Sequence, residues 1–213
     1  MRADRPRDSN SLGGSTATPE HDRHGAKQPY RFDPARAGAL DDRARFEYLP
    51  PAELFALLSA PKGSTVVDFG TGTGTYAIEL ARERPDLRVV ALDEQQAMLD
   101  KLLAKLAPAP VTNLHVVMAR TPAARALEGK VERVLAINVL HELGDEALEE
   151  LLALPGRGGR ILLVDWNAAA EREVGPPRDH VYAPKEAADR LVGTGFKVEG
   201  EKLFRYHYAL WGR

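Results

Sequence analysis

The sequence predicts an α/β fold: a mostly parallel, doubly wound sheet that finishes in an antiparallel hairpin. Three observations predict it. Short β-branched runs alternate with helical stripes from about residue 65 to residue 192. That alternation implies parallel strands, right-handed crossovers and helices on both faces of the sheet. A glycine-rich stretch, Gly70-Thr71-Gly72-Thr73-Gly74, separates the first strand of this series from its first helix. Finally, residues 196–203 and 205–211 follow one another with no helical stripe between them, so they pair antiparallel.

Composition sets the frame. The chain has 213 residues, 44% hydrophobic and 28% charged, which suits one ordinary domain plus a tail. A core of that size needs neither disulfides nor a structural metal. The absence of cysteine excludes disulfides, Cys-ligated zinc, iron–sulfur clusters and cysteine nucleophiles. A net charge of -2 gives no strong nucleic-acid signal. No stretch approaches the ~18 consecutive apolar residues of a membrane span. The N-terminus, with Arg2, Asp4, Arg5, Arg7 and Asp8, lacks an apolar signal core. A cytoplasmic protein with no membrane partner is therefore expected, and the sequence carries no signal of oligomeric state.

Each element follows in order. Residues 1–28 are rich in Arg, Asp, Ser, Gly and Pro, and Leu12 is the only large aliphatic residue between Met1 and Tyr30. Such a segment buries too little apolar surface to offset its ordering entropy, so a disordered tail is expected. Over residues 29–60 the chain gains Tyr30, Phe32, Phe46 and Tyr48, as an arm and helix covering the site would. The domain proper is expected over 61–213. Within it, residues 65–69 read as a strand and 75–84 as a helix stopped by Pro85. Residues 88–92 are the next strand. Residues 95–106 place Met98, Leu99, Leu102, Leu103 and Leu106 on one helical stripe. Strands are expected at 114–118, 133–139 and 160–165, and helices at 146–154 and 184–192. The last helix has Pro184 at its start and Gly195 beyond its end.

The glycine loop carries the chemistry. Between a strand and a helix, glycines let backbone approach a ligand, and the helix N-terminus offers unpaired N–H groups. The spacing is Gly-x-Gly-x-Gly, and Thr75 stands where a dinucleotide fingerprint has its last glycine. Asp68, two residues before Gly70, would repel a pyrophosphate but suits the ammonium of a bound amino acid. S-adenosylmethionine (SAM) carries that ammonium and no phosphate, so the charges favour it over NAD. Asp93 ends the next strand, 19 positions beyond Gly74, where an acid accepts from both hydroxyls of a ribose. Its alternative reading is the N-cap of the helix that follows.

These residues carry a family resemblance. Residues 66–81 resemble motif I of the class I SAM-dependent methyltransferases, and Val90-Ala91-Leu92-Asp93 resembles their ribose-binding strand. Asn138-Val139-Leu140-His141-Glu142, residues 159–166 with Gly175-Pro176-Pro177, and the arm from Phe32-Asp33-Pro34 to Pro50-Pro51 are similar to segments of small bacterial and archaeal members. The resemblance implies a Rossmann-like, seven-stranded sheet with an antiparallel last strand, and SAM as cofactor. It implies a cofactor-binding set of Asp68, Gly70, Thr71, Gly72, Gly74, Asp93, Glu94, Ala119, Arg120 and Asn138. The loop Met118-Ala119-Arg120-Thr121 would border the adenine. Many members place an acid there and this chain has none, which leaves backbone groups or Arg120 for that role.

Methyl transfer is an in-line displacement, so the enzyme mainly aligns and desolvates the nucleophile, and a base is needed only when a proton must leave. His141 is the candidate catalytic base, with an ordinary pKa suited to neutral pH. The alternative is a histidine bonded to the helix turn that follows. Asp165 either joins this site or salt-bridges the loop holding Arg172 and Arg178. His180 follows strand five, while His21 and His24 fall in the tail. No metal is expected, because His141, His180 and Asp165 lack helical ligand spacing. Tyr30 and Phe32 could cover the site, where an aromatic face attracts a sulfonium. The expected partner is a small-molecule methyl acceptor, and the lack of thiols argues against metalloid substrates. Two other readings are a non-catalytic SAM-binding protein and an NAD(P)-dependent oxidoreductase. The glycine spacing, Asp68 and the terminal hairpin count against the oxidoreductase.

Overall fold

Residues 31–213 are described by a computed structural model, so Tyr30 and the tail expected over 1–28 lie outside the described residues. The arm forms a 3-10 turn, η1 (Pro34–Leu40), a single turn α1 (Arg45–Tyr48) and a helix α2 (Pro51–Leu58). Strand β1 (Thr65–Phe69) then leads into α3 (Thr75–Glu83), β2 (Arg88–Asp93), α4 (Gln96–Leu106), β3 (Leu114–Met118) and α5 (Pro122–Arg125). Strand β4 (Val131–Ile137), the 3-10 turn η2 (Leu140–Glu142), α6 (Asp145–Ala153) and β5 (Pro155–Trp166) come next. A second 3-10 turn η3 (Arg178–His180), α7 (Pro184–Gly193), β6 (Val198–Leu203) and β7 (His207–Gly212) complete the chain.

The seven strands form one sheet in the order β3-β2-β1-β4-β5-β7-β6. Pairs β1–β2, β2–β3, β1–β4 and β4–β5 are parallel, and β7 runs antiparallel between β5 and β6. The doubly wound sheet and its antiparallel last strand are thus as the sequence predicts. Both faces are covered, and alternate residues enter different cores. Val66 packs with Leu54, Leu80, Leu102 and Leu135 on one face. Val67 packs with Val90, Leu148, Leu151 and Leu163 on the other. From β1 the chain winds outward in opposite directions, to β2 and later to β4, which opens a crevice at the carboxyl ends of these strands.

Several strand boundaries differ from expectation, those of β4 and β5 for a visible reason. β4 covers Val131–Ile137 instead of 133–139, because Asn138 turns into the left-handed region with φ +58. β5 begins at Pro155, five residues early. Its Pro-Gly-Arg-Gly-Gly start reads as a loop, yet Pro155 pairs with Val131 across a bulge. A Cβ at Gly159 would sit 2.6 Å from the Val131 carbonyl oxygen, so close backbone approach demands a glycine there. No helix among the described residues is long and apolar enough to cross a membrane.

Candidate active site

The crevice holds a cavity of about 510 Å³, walled by the glycine loop, the ends of β2, β4 and β5, the arm, and the loop at residues 174–177. The glycine loop is strictly specified. Gly70 has φ +68, and a Cβ there would lie 2.5 Å from Val139 Cγ1. Gly74 has φ +76, and its Cβ would overlap Leu102. Gly74 therefore holds the loop against α4 from behind and is not in the cavity wall, unlike Gly70, Thr71 and Gly72.

Asp68 is 3% exposed and accepts from the Thr71 hydroxyl at 2.6 Å. Burial pushes its carboxyl up to about 7, against the pull of that hydrogen bond. Asp93 accepts from Gly72 N at 2.7 Å and Gln95 N at 2.8 Å, and the N-cap of α4 is Gln95. Asp93 therefore ties two loops together, and burial raises its pKa as well. Glu94, Ala119 and Arg120 line the same end. Arg120 takes a left-handed φ of +61 and pairs with Glu150 at 3.0 Å and Glu94 at 3.9 Å. Asn138 also lines the cavity, and its buried Oδ1 has no hydrogen-bond partner.

His141, on η2, lines the same cavity. Its ring bonds not to the following helix but to Asp165 on β5, with Nδ1 at 2.8 and 3.0 Å from the two carboxylate oxygens. Asp165 is fully buried and also accepts from His141 N at 2.9 Å and Trp166 N at 2.7 Å. It does not pair with the loop that follows, where Arg172 donates to the Val174 and Pro176 carbonyls and Arg178 to that of Ala168. Burial would lower the His141 pKa, but the Asp165 charge and hydrogen bond, with Glu142, outweigh it and raise the value. Because a carboxylate only accepts, Nδ1 must carry a proton, which leaves Nε2 as the basic nitrogen of the neutral ring. Nε2 is 3.6 Å from Glu142 Oε1. Burial pushes Glu142 up to about 7, and its other oxygen accepts from Phe32 N at 3.2 Å.

The arm closes the third side. Asp41 accepts from Thr73 at 2.6 Å, Thr75 at 2.8 Å and Lys105 at 2.7 Å, and Gln95 donates to Phe32 O at 3.2 Å. Arg45 and Tyr48 on α1 line the cavity beside Trp166. Tyr48 packs 6.0 Å from Trp166 and stacks on the buried His207 at 5.7 Å, between ring centroids. Of the residues expected at the site, Asp68, Gly70, Thr71, Gly72, Asp93, Glu94, Ala119, Arg120, Asn138 and His141 meet on this one cavity. His180 is not in its wall. Tyr48 lines it with the arm, as expected, and Arg45, Thr73 and Thr75 join it without having been expected there. Thr75 was legible, since a hydroxyl in place of a glycine offers a donor at the loop's end.

Comparison with known proteins bears on what this cavity does. Residues 66–157 match the methyltransferase-domain family. The structure superposes on a SAM-dependent methyltransferase from Aquifex aeolicus with a TM-score of 0.77 and 27% identity, covering 85% of this chain and 98% of that one. These matches support a class I SAM-dependent methyltransferase. SAM is accordingly the cofactor of this methyltransferase. It is also 29% identical over 167 residues to a 16S rRNA (adenine(1408)-N(1))-methyltransferase of Streptoalloteichus tenebrarius, spanning 72% of this chain and 76% of that protein. A release factor glutamine methyltransferase of Mycolicibacterium smegmatis is 30% identical over 95 residues, only 34% of that protein's length.

Proposed function

We propose that this methyltransferase acts on a small-molecule acceptor, with SAM seated between the glycine loop and the Asp93 end and the acceptor proton leaving to His141. The observation that carries the reading is the His141–Asp165 pair. It holds a basic nitrogen at the wall of the same cavity that the glycine loop enters. When bound, SAM supplies a methyl group on a sulfonium, an already good leaving group.

The residues fit that cofactor. Asp68 is a buried carboxyl without a cation, suited to an ammonium, and the partnerless Asn138 Oδ1 calls for a donor. Asp93 and Glu94 are the acids for ribose hydroxyls, while Ala119 and Arg120 flank the place for adenine. Asp165 fixes the His141 tautomer and ring, and the arm excludes water from the reacting atoms. The cavity falls within the ~300–1,000 Å³ of small-ligand pockets, and the arm bonded across it favours a compact acceptor over a macromolecule. Within this proposal, 29–60 is a covering arm, 61–213 the catalytic domain, and the protein cytoplasmic.

Calorimetric titration with S-adenosylhomocysteine, with NAD as control, tests the cofactor site. Micromolar or tighter binding of S-adenosylhomocysteine alone is expected. Binding of NAD alone, or of neither, would overturn the assignment of these residues.

A further inference from the structure

The acceptor end has a chemical character of its own. Tyr48 and Trp166 stand 6.0 Å apart with their rings at 42°, too close to hold a ligand between them. They form one aromatic corner instead, fixed from behind by His207, whose centroid is 4.0 Å from that of Trp166. Arg172 lies over the Trp166 ring at 5.1 Å and Trp166 is 7% exposed, so a flat ring meets it edge-on, with Tyr48 beside it. The arm adds cations to the same wall. The Arg45 guanidinium lies over the Tyr76 ring at 5.5 Å, bonds Leu40 O and the Tyr48 side chain, and lines the cavity with donors to spare. Arg36, exposed on η1, also lines the cavity and makes no ion pair among the described residues. The arm's acid on this wall, Asp42, is engaged by Ala44 N. His141 lines the same cavity.

We propose that the acceptor is an aromatic acid bearing a ring hydroxyl, its ring against Tyr48 and Trp166, its carboxylate toward Arg45 and Arg36, and its hydroxyl on His141 Nε2. This rests on the methyl-transfer reading above and names its substrate class. Each part of the acceptor answers one part of the wall. Two guanidiniums against the single arm carboxylate Asp42 favour an acid over a cationic amine or an uncharged ring. A phenolic hydroxyl has a pKa near 10, within reach of a histidine base as the bond forms. The step balances: the phenolic oxygen gains the methyl group as the C–S bond breaks, its proton goes to Nε2 and on to solvent, and a neutral thioether and an aryl methyl ether leave.

The test uses the full chain saturated with S-adenosylhomocysteine and titrated with the three hydroxybenzoate isomers, each beside its uncharged hydroxybenzamide. At least one isomer is expected to bind tenfold or more tightly than its amide, and with SAM to yield the methyl ether while benzoate yields nothing. Arg45→Gln should reduce the acid-to-amide preference to about one. The proposal is overturned if no isomer binds, if acid and amide bind alike, if Arg45→Gln keeps the preference, or if 16S rRNA is methylated and no isomer is. Failure of S-adenosylhomocysteine itself to bind would instead strike the cofactor-site reading beneath it.

Discussion

Asp165 accepts three hydrogen bonds in a site with no exposure, and two of them come from His141. An amide in its place offers one acceptor oxygen and a donor where His141 Nδ1–H already points. Asp165→Asn should therefore turn the ring or its tautomer and lower kcat by about 10²- to 10⁴-fold, the usual worth of a positioned base, while S-adenosylhomocysteine affinity stays within a few-fold. Steady-state kinetics beside calorimetry separates the two; unchanged kcat would remove His141 from the reaction. Asp93 differs, because its carboxylate holds Gly72 N and Gln95 N. Asp93→Ala should weaken S-adenosylhomocysteine binding by about 1–3 kcal/mol, through lost hydroxyl contacts and a loosened glycine loop together. An unchanged Kd in the same titration would reduce Asp93 to a loop tie.

At the scale of elements, the turn that carries His141 is held from outside. η2 is only three residues, Leu140–Glu142, and its one internal bond to a carbonyl, Leu143 N to Leu140 O, is long at 3.3 Å. Arg190 on α7, 4% exposed, donates to Leu140 O at 2.9 Å and Leu143 O at 2.7 Å, bracketing His141 and Glu142. Arg190→Met keeps most of the volume but strands the Leu143 carbonyl, at about 1–3 kcal/mol, and leaves Leu140 O only the 3.3 Å bond from Leu143 N. Chemical denaturation should report that loss, and kcat should fall beyond what the remaining folded fraction explains. Wild-type kcat per folded molecule would show that the turn holds itself. This anchor was not legible beforehand, because an arginine in a last helical turn ordinarily serves the helix dipole from solvent. The strands were legible where β-branched runs lie buried on both faces, as in β1 and β2. They were not where glycines serve close approach, as at Gly159, nor where a cavity residue bends a strand's end, as at Asn138. The glycine loop and Asp93 were legible because their spacing is local. The place of Arg45 in the wall was not, since only the folded arm brings it there.

The whole molecule collects its buried acids around one cavity, and this makes stability depend on pH in a definite direction. Burial raises Asp68 from 3.8 to about 7 and Glu142 from 4.5 to about 7, and it raises Asp93 too. Between pH 4 and 7 the unfolded chain loses these protons first, so the folded state becomes less stable as pH rises, by at most about 1.4 kcal/mol per pH unit for each group. His141 acts in the same sense: its raised pKa contributes stability in full below 6.5, and this is lost as pH climbs through the folded value. Asp41 and Asp86 are lowered and act oppositely only below about pH 4. His207, lowered to about 3 by burial, opposes the three acids up to about pH 6.5 without outweighing them. The melting temperature of the ligand-free protein should thus fall steadily from pH 5 to 8. An ammonium beside Asp68 offsets the cost of its ionisation, so S-adenosylhomocysteine should raise Tm more at pH 8 than at pH 6. Asp68→Asn removes the group that titrates and should flatten that difference. Thermal melts over this range, with and without ligand, check both effects. A Tm that rises with pH would mean these acids are not held protonated by burial, and an Asp68→Asn protein with the full pH-dependent ligand shift would place the ammonium elsewhere.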